Sequence, residues 1–248
     1  MSNPVHNPWD CRFRAALTLM LMTIGALGML LVAVLTLLQA TRFYREHMLT
    51  PLGRIILWIW GIRVVVHNRP QDTPEQRVYI SNHTSTLDVF VLVALGLPNT
   101  RFFLSGFLRK LPPLGLIGYL TGVFWTVDQV FTARRVRIFK RAGRILQNTG
   151  ESVYLSPEGQ RVTTGTVGPF NKGAFHLATH LRAPITPFYI LIPPNVDPGM
   201  GICARPGRVD VWFKPAIDTR DWNLKEIIAN KERIRQHFLE WDREHRAR

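Results

Sequence analysis

The chain has 248 residues, enough for one large domain or two small ones and for a hydrophobic core that needs no disulfide or metal staple. Apolar residues make up 46% and charged residues 19%, which excludes a disordered polyelectrolyte, and a mean hydropathy of +0.03 argues against a polytopic membrane protein. The 31 Lys and Arg against 17 Asp and Glu leave a net charge of +14, so the expected partners are anionic: nucleic acid, anionic lipid, or an acidic carrier protein or cofactor.

The charge is unevenly spread. Residues 15–41, between Arg14 and Arg42, form a run of 27 residues without a charge. About 20 apolar residues cross a bilayer core. A cleaved signal peptide is the competing reading, but its apolar region is usually half as long, and no small-x-small cleavage site follows here. A retained membrane segment is therefore expected. Arg12 and Arg14 precede it and Arg42, Arg45 and Arg54 follow, a slight bias toward a cytoplasmic C-terminal body. In residues 51–66, Trp58 and Trp60 flank Ile59, and residues 51–62 read either as an interfacial helix or as an ordinary buried helix.

From residue 63 onward, short β-rich runs alternate with helical stretches. Strands are predicted at 63–67, 77–81, 122–127, 152–156, 185–191 and 208–213, and helices at 86–96, 132–148, 171–182 and 223–245. That alternation predicts an α/β fold, a mixed sheet flanked by helices in three layers, behind an N-terminal membrane-embedded helical segment. The division falls at a membrane anchor over 1–62 and an α/β domain over 63–248. The 132–148 helix is amphipathic and basic, with Arg134, Arg135, Arg137, Lys140, Arg141 and Arg144, and fits either a solvated face or contact with anionic headgroups or an anionic cofactor. Segment 193–207, with four prolines, reads as a long loop. Cys11 and Cys203 lie far apart and yield no disulfide framework, so a reducing compartment is expected for the folded body.

Two stretches can carry chemistry. In Asn82-His83-Thr84-Ser85-Thr86-Leu87-Asp88, a histidine follows a strand end and a carboxylate comes five residues later. On one regular helix the two would stand roughly 140° apart, so they meet only across a loop or a turn leading into a helix. Ser85 or Thr86 could cap that helix. In contact, Asp88 fixes the imidazole tautomer and His83 presents its other nitrogen as a general base, activating a substrate hydroxyl. The second stretch is Tyr154-Leu-Ser-Pro-Glu-Gly-Gln-Arg161, where a strand runs into a Pro-Glu-Gly turn and an Arg suited to phosphate.

Taken together and in order, these blocks resemble the glycerolipid acyltransferase family, of the bacterial 1-acyl-glycerol-3-phosphate acyltransferase (PlsC-like) type. The Asn-His-x-x-x-x-Asp block stands at residues 82–88. The second block looks like Gly122 to Asp128, and the Pro-Glu-Gly-Thr-Arg block like Pro157 to Arg161. Phe170 to Phe175 and the proline-bearing strand with Pro187 follow at similar spacing. The resemblance implies a membrane-bound O-acyltransferase of phospholipid biosynthesis. It would move a fatty acyl group from acyl-CoA or acyl carrier protein to a lysolipid hydroxyl, most simply that of 1-acyl-glycerol-3-phosphate. It also implies His83 as base and Asp88 as its orienting partner, with no cofactor. Asn82, Asp128, Glu158, Gly159, Arg161 and Pro187 would be the substrate-binding positions, Arg161 near an anionic headgroup and Pro187 supporting the acyl-donor side.

The chain departs from the family pattern at three places. Asp128 stands where the second block usually ends in Arg, the Lys usually found upstream of Pro112-Pro-Leu-Gly115 is missing, and Gln160 replaces a Thr. Either Arg101, Arg109, Lys110, Arg134 or Arg135 substitutes, or the acceptor is another lysolipid such as a lyso-ornithine lipid. No metal site is expected, since His83, His176 and His180 lack a ligand spacing. No nucleic-acid partner is expected either, because the usual binding signatures are absent. The expected location is the inner, cytoplasmic membrane, with the catalytic body on the cytoplasmic side and membrane lipids as partners.

Overall fold

The computed structural model describes residues 8–163, 166–197, 201 and 203–246. Seven strands form one mixed sheet: β1 (Ile62–His67), β2 (Val78–Ser81), β3 (Thr100–Ser105), β4 (Phe124–Thr126), β5 (Ser152–Leu155), β6 (Ile185–Leu191) and β7 (Gly207–Phe213). Their spatial order is β1-β7-β6-β2-β5-β3-β4. β6, β2, β5, β3 and β4 run parallel, β7 is antiparallel to β6, and β1 is parallel to β7. The central strands β2 and β5 are buried along their whole length, as strands covered on both faces must be.

The helices are α1 (Pro8–Leu35), α2 (Thr41–Phe43), α3 (Thr50–Ile59), α4 (Asp88–Leu95), α5 (Pro112–Leu120), α6 (Thr132–Thr149), α7 (Gly173–Leu181) and α8 (Ile227–Arg246). One side of the sheet buries Ile56, Leu92 and Phe188 in a core with α3 and α4. The other buries Leu146, Phe175 and Phe238 from α6, α7 and α8. The three-layer expectation therefore holds. Beyond the expected elements the fold contains β3 and α5. α5 opens with two prolines and carries Gly115 and Gly118, which read as breakers in sequence. In the fold the prolines occupy the first turn, where no N–H is needed. At Gly118 a Cβ would come within 2.2 Å of the Trp125 ring, so close packing explains that glycine.

The N-terminal helices differ in extent from the expected 15–41 and 51–62. α1 starts at Pro8 because the charges before the apolar run fit an exposed helical turn, with Arg14 bonded to Asp10 at 3.1 Å. It stops at Leu35, and Leu37 and Leu38 take positive φ values of 49° and 63°. The return helix begins at Thr41, passes through a π-helical turn (Tyr44–Leu49) and ends at Ile59. α1 is long and apolar enough to cross a membrane. It nevertheless lays a stripe of Cys11, Thr18, Met22, Ala26, Met29 and Ala33 against the body, while Leu19, Ile24, Leu27 and Leu31 on its other side stay exposed.

Two contacts tie these helices to the sheet. The first corrects an expectation: Cys11 and Cys203, 192 residues apart, are joined in a disulfide with a Cα separation of 5.7 Å. Packing of α1 on the body brings its first turn to the proline-rich loop, a proximity that sequence distance conceals. The second is a buried ion-pair cluster. Arg45 in the π-helical turn pairs with Glu151, whose other oxygen accepts Arg101 Nε at 2.6 Å. Arg45 also donates to the carbonyl of Thr121 at 3.0 Å. Burial pushes the Glu151 carboxyl up, but Arg45, Thr149 and Arg101 outweigh it and hold the group below its ordinary range.

Removing one partner of a buried pair strands the other charge. Glu151→Gln is expected to cost about 3–5 kcal/mol in denaturant unfolding, with the charge of Arg45 left uncompensated. Because the Glu151 pKa is lowered in the fold, its contribution is present above the ordinary carboxylate range and fades as pH falls through the lowered value. The gap between wild type and variant should therefore narrow on acidification. An equal gap at every pH would show that the ion pair does not stabilise the fold.

Candidate active site

β2 and β5 are neighbours in the sheet, yet their connections diverge: β2 leads into α4 on one face and β5 into α7 on the other. The carboxyl ends of such a pair frame a crevice, the usual position of a site in open α/β sheets. The loop from Asn82 to Leu87 leaves β2 there. Asn82 anchors it, donating Nδ2 to the carbonyl of Ile190 and accepting the Ile190 N–H on Oδ1, both at 2.8 Å. Asn82 is thus bonded to β6 and fixes where the loop begins.

Asp88 is completely buried at the first position of α4, where unpaired helical N–H groups favour negative charge. Its Oδ2 accepts the amides of Thr84 at 2.8 Å and Ser85 at 3.0 Å, and meets His83 Nδ1 at 2.8 Å. The turn between them does what a regular helix could not: it folds the five-residue spacing back on itself. Ser85 Oγ helps by accepting the Leu87 N–H at 2.8 Å and donating to Asp197. A carboxylate only accepts hydrogen bonds, so Nδ1 carries the hydrogen and Nε2 keeps its lone pair. His83 itself is only partly covered.

The second loop leaves β5 at Ser156. Glu158 is 2% exposed, and its carboxylate accepts two amides, His83 N on Oε1 at 2.9 Å and Gly168 N on Oε2 at 3.0 Å. Burial pushes its carboxyl up to about 7, against the pull of those two amides. The next residue, Gly159, has φ +69°, and a Cβ there would stand 2.7 Å from Asn171 Nδ2. Asn171 Nδ2 donates to the carbonyl of Glu158 at 2.8 Å. Val162 N donates to the carbonyl of His83 at 2.8 Å, and Arg161 Nη1 donates to Thr86 Oγ1 at 2.6 Å.

His83, Asp88, Glu158, Gly159 and Arg161 are therefore one assembly. Asp128 and Pro187 are not part of its bonding. Asp128 is exposed on the loop before α6, where its carbonyl accepts the Phe131 N–H at 3.0 Å. Pro187 lies inside β6 opposite Ile80, where its carbonyl accepts the Lys214 N–H just past the end of β7. Of the five candidate substitutes for the missing cations, Arg101 is taken by Glu151 and Arg134 lies over the Phe131 ring. Arg109 and Lys110 sit on an exposed turn after β3. Arg135 alone reaches the Pro-Glu-Gly turn, with Nη2 3.5 Å from the position a Gly159 Cβ would take. Sequence reading passes over Thr86, Gly168 and Asp197 as partners, because nothing local marks a hydroxyl, an amide or a loop carboxylate as the mate of a distant side chain. Among the described residues, no group of three or more His, Cys, Asp or Glu is placed to hold a metal ion.

A histidine oriented by a buried carboxylate, at the open carboxyl edge of a mixed α/β sheet, is the arrangement a general base requires. The acyltransferase family matches residues 63–191, just over half of the chain, and the chain belongs to that family. A 1-acyl-sn-glycerol-3-phosphate acyltransferase from Limnanthes douglasii is 30% identical over 177 residues, covering 71% of this chain and 62% of the relative. The human 1-acyl-sn-glycerol-3-phosphate acyltransferase alpha is 28% identical over 188 residues, covering 74% of this chain and 65% of the relative. The chain thus spans a little less than two thirds of these relatives' length. The crystal structure of the 1-acyl-sn-glycerophosphate (LPA) acyltransferase PlsC from Thermotoga maritima aligns with a TM-score of 0.69 over 95% of this chain and 98% of that one. At 20% identity it shows that the fold is shared.

The raised Glu158 carboxyl gives a test of this geometry. A folded pKa near 7 against an ordinary carboxylate in the unfolded chain means that the stability Glu158 contributes is full below the ordinary range and is lost as pH rises toward 7. Glu158→Gln carries no such charge. Its melting temperature relative to wild type should therefore rise between pH 5 and pH 8. A difference that stays flat over that interval would show that Glu158 is not a strained buried acid.

Proposed function

We propose that the chain is a membrane-bound O-acyltransferase that moves a fatty acyl group from a thioester, acyl-CoA or acyl carrier protein, to a lysolipid hydroxyl. The 2.8 Å contact between His83 Nδ1 and the buried Asp88, which leaves Nε2 free as a base, carries this reading. Nε2 takes the proton of the acceptor hydroxyl as its oxygen attacks the thioester carbonyl carbon. The C–O bond forms, the C–S bond breaks, and the imidazolium returns the proton to the departing thiolate. Asp88 steadies the imidazolium in between. The scheme uses neither metal nor cofactor: the thioester supplies the driving force and His83 the proton transfer.

The names of the relatives support 1-acyl-glycerol-3-phosphate as the acceptor and phospholipid biosynthesis as the setting. Arg161, held beside His83 by Thr86, is the cation suited to its phosphate. One observation favours a different lysolipid, such as a lyso-ornithine lipid: Asp128 stands where the family pattern has Arg, and Arg101 is consumed by Glu151. The exposed apolar side of α1 supports membrane attachment; the flanking arginines support the cytoplasmic side of the inner membrane, while the Cys11–Cys203 bond, which persists in oxidising surroundings, weighs against that side.

His83→Ala should lower acyl transfer by about 100- to 10,000-fold with the melting temperature kept, the range for losing a positioned base. Asp88→Asn should lower it strongly too, because a neutral amide oxygen in that position no longer stabilises the imidazolium that forms on His83. Full activity in His83→Ala would end this reading. A panel of lysolipids with one acyl donor separates the acceptors. Preference for lysophosphatidate supports the first, and turnover of lyso-ornithine lipid alone supports the second.

A further inference from the structure

A groove of about 990 Å³ runs between α6 and α7 and is closed at its far side by residues of α8 and the segment before it. Its walls carry Arg135, Lys140, Arg144, Lys172 and Lys231, and among the described residues no carboxylate lines it. None of these five cations makes an ion pair among the described residues. Between the cations the lining is apolar, with Val136 and Phe139 from α6 and Leu177 from α7. Five cations held together around a cavity repel one another, a cost that an anionic occupant removes.

The groove meets the active site at its inner end. Gln129 and Asn171, both in its lining, donate to the carbonyl of Glu158, whose carboxylate in turn accepts the His83 amide. A ligand seated in the groove is therefore linked to His83 through Gln129 or Asn171 and then Glu158.

The spacing limits what the ligand can be. Arg135 and Arg144 are nine residues apart on α6, about 13 Å at 1.5 Å per residue. A single phosphate engages two or three neighbouring donors and leaves the rest unused. The occupant must carry several separated anionic groups, together with a flat or apolar body to cover Phe139 and Leu177. A lysolipid with one headgroup phosphate does not meet that description. A concave groove of this volume also suits a small molecule better than the face of a protein. Coenzyme A meets it, with a diphosphate, a separate ribose phosphate and an aromatic base.

We infer that the groove between α6 and α7 seats the nucleotide end of a coenzyme A thioester, with its phosphates on Arg135, Lys140, Arg144, Lys172 and Lys231. The assignment rests on the acyl-transfer reading for its biological use, but coenzyme A binding is measurable without turnover. Lys140 and Arg144 lie five and nine residues beyond Arg135 along α6 and make no contact with the His83 loop among the described hydrogen bonds, so they are the residues to change.

Binding of free coenzyme A and of adenosine 3′,5′-bisphosphate to the detergent-solubilised full chain would be measured by calorimetry, for wild type, K140E/R144E and K140Q/R144Q. Both ligands should bind wild type and lose about tenfold or more in affinity in either variant, the scale of one charged hydrogen bond. Unchanged melting temperatures exclude misfolding, and the milder glutamine pair keeps the test open if the reversal does not fold. In steady-state assays the variants should raise KM for acyl-CoA far more than they lower kcat, and leave KM for the lysolipid unchanged. Coenzyme A affinity unaltered in both variants would overturn the assignment. So would a KM change confined to the lysolipid, which would mark a headgroup site, or one confined to acyl carrier protein, which would mark a protein-docking face. If wild type binds coenzyme A through these cations but acylates no lysolipid, the groove stands and the acyl-transfer reading fails. If His83→Ala is inactive while K140E/R144E binds coenzyme A normally, the reverse holds.

Discussion

A carboxylate buried from water must find hydrogen-bond donors, and in this protein two such groups find theirs in the same loop. Asp88 takes the amides of Thr84 and Ser85 and the His83 ring, and Glu158 takes the His83 amide. The peptide unit and the side chain of His83 are thus held from opposite sides by acids that enter from β2–α4 and from β5. Unpaired, either acid would cost several kcal/mol. The loop is therefore held by the pairing of Glu158 and of one oxygen of Asp88, whose other oxygen is buried with no hydrogen-bond partner among the described residues.

The sheet makes that meeting possible. β2 and β5 are adjacent and parallel, so their carboxyl ends open at the same edge, and their helices leave toward opposite faces. Asn82 clamps the start of the loop that carries His83 to β6. Pro187, two positions earlier than Tyr189 in β6, serves the ladder and not the crevice.

The N-terminal helices are integral to this arrangement. Their exposed apolar side suits lipid, while a stripe of small and sulfur-bearing residues packs on the body. Arg45 reaches from their turn to Glu151 at the start of β5, the strand that ends in the Pro-Glu-Gly turn. The N-terminal helices and the strand that leads to the Pro-Glu-Gly turn are thus joined by a buried ion pair. Ion pairs cancel charge in equal amounts and leave the net +14 untouched, and five cations outside any ion pair among the described residues line the open groove beside the site.

The sequence alone determined the strand and helix alternation, the long apolar helix and the two polar blocks, because each is a local pattern of side chains a few residues apart. It also showed that Asp128 lacks the expected positive charge. It did not show the α5 helix, whose prolines and glycines look like breakers until Trp125 is seen against Gly118. Nor did it show the Cys11–Cys203 bond, the partner of Arg101, or which of five arginines and lysines comes near Gly159. Those are contacts between residues tens to hundreds of positions apart. Only the packing of helices on a particular strand order decides them, since the same local patterns fit many orders and each order brings different side chains together.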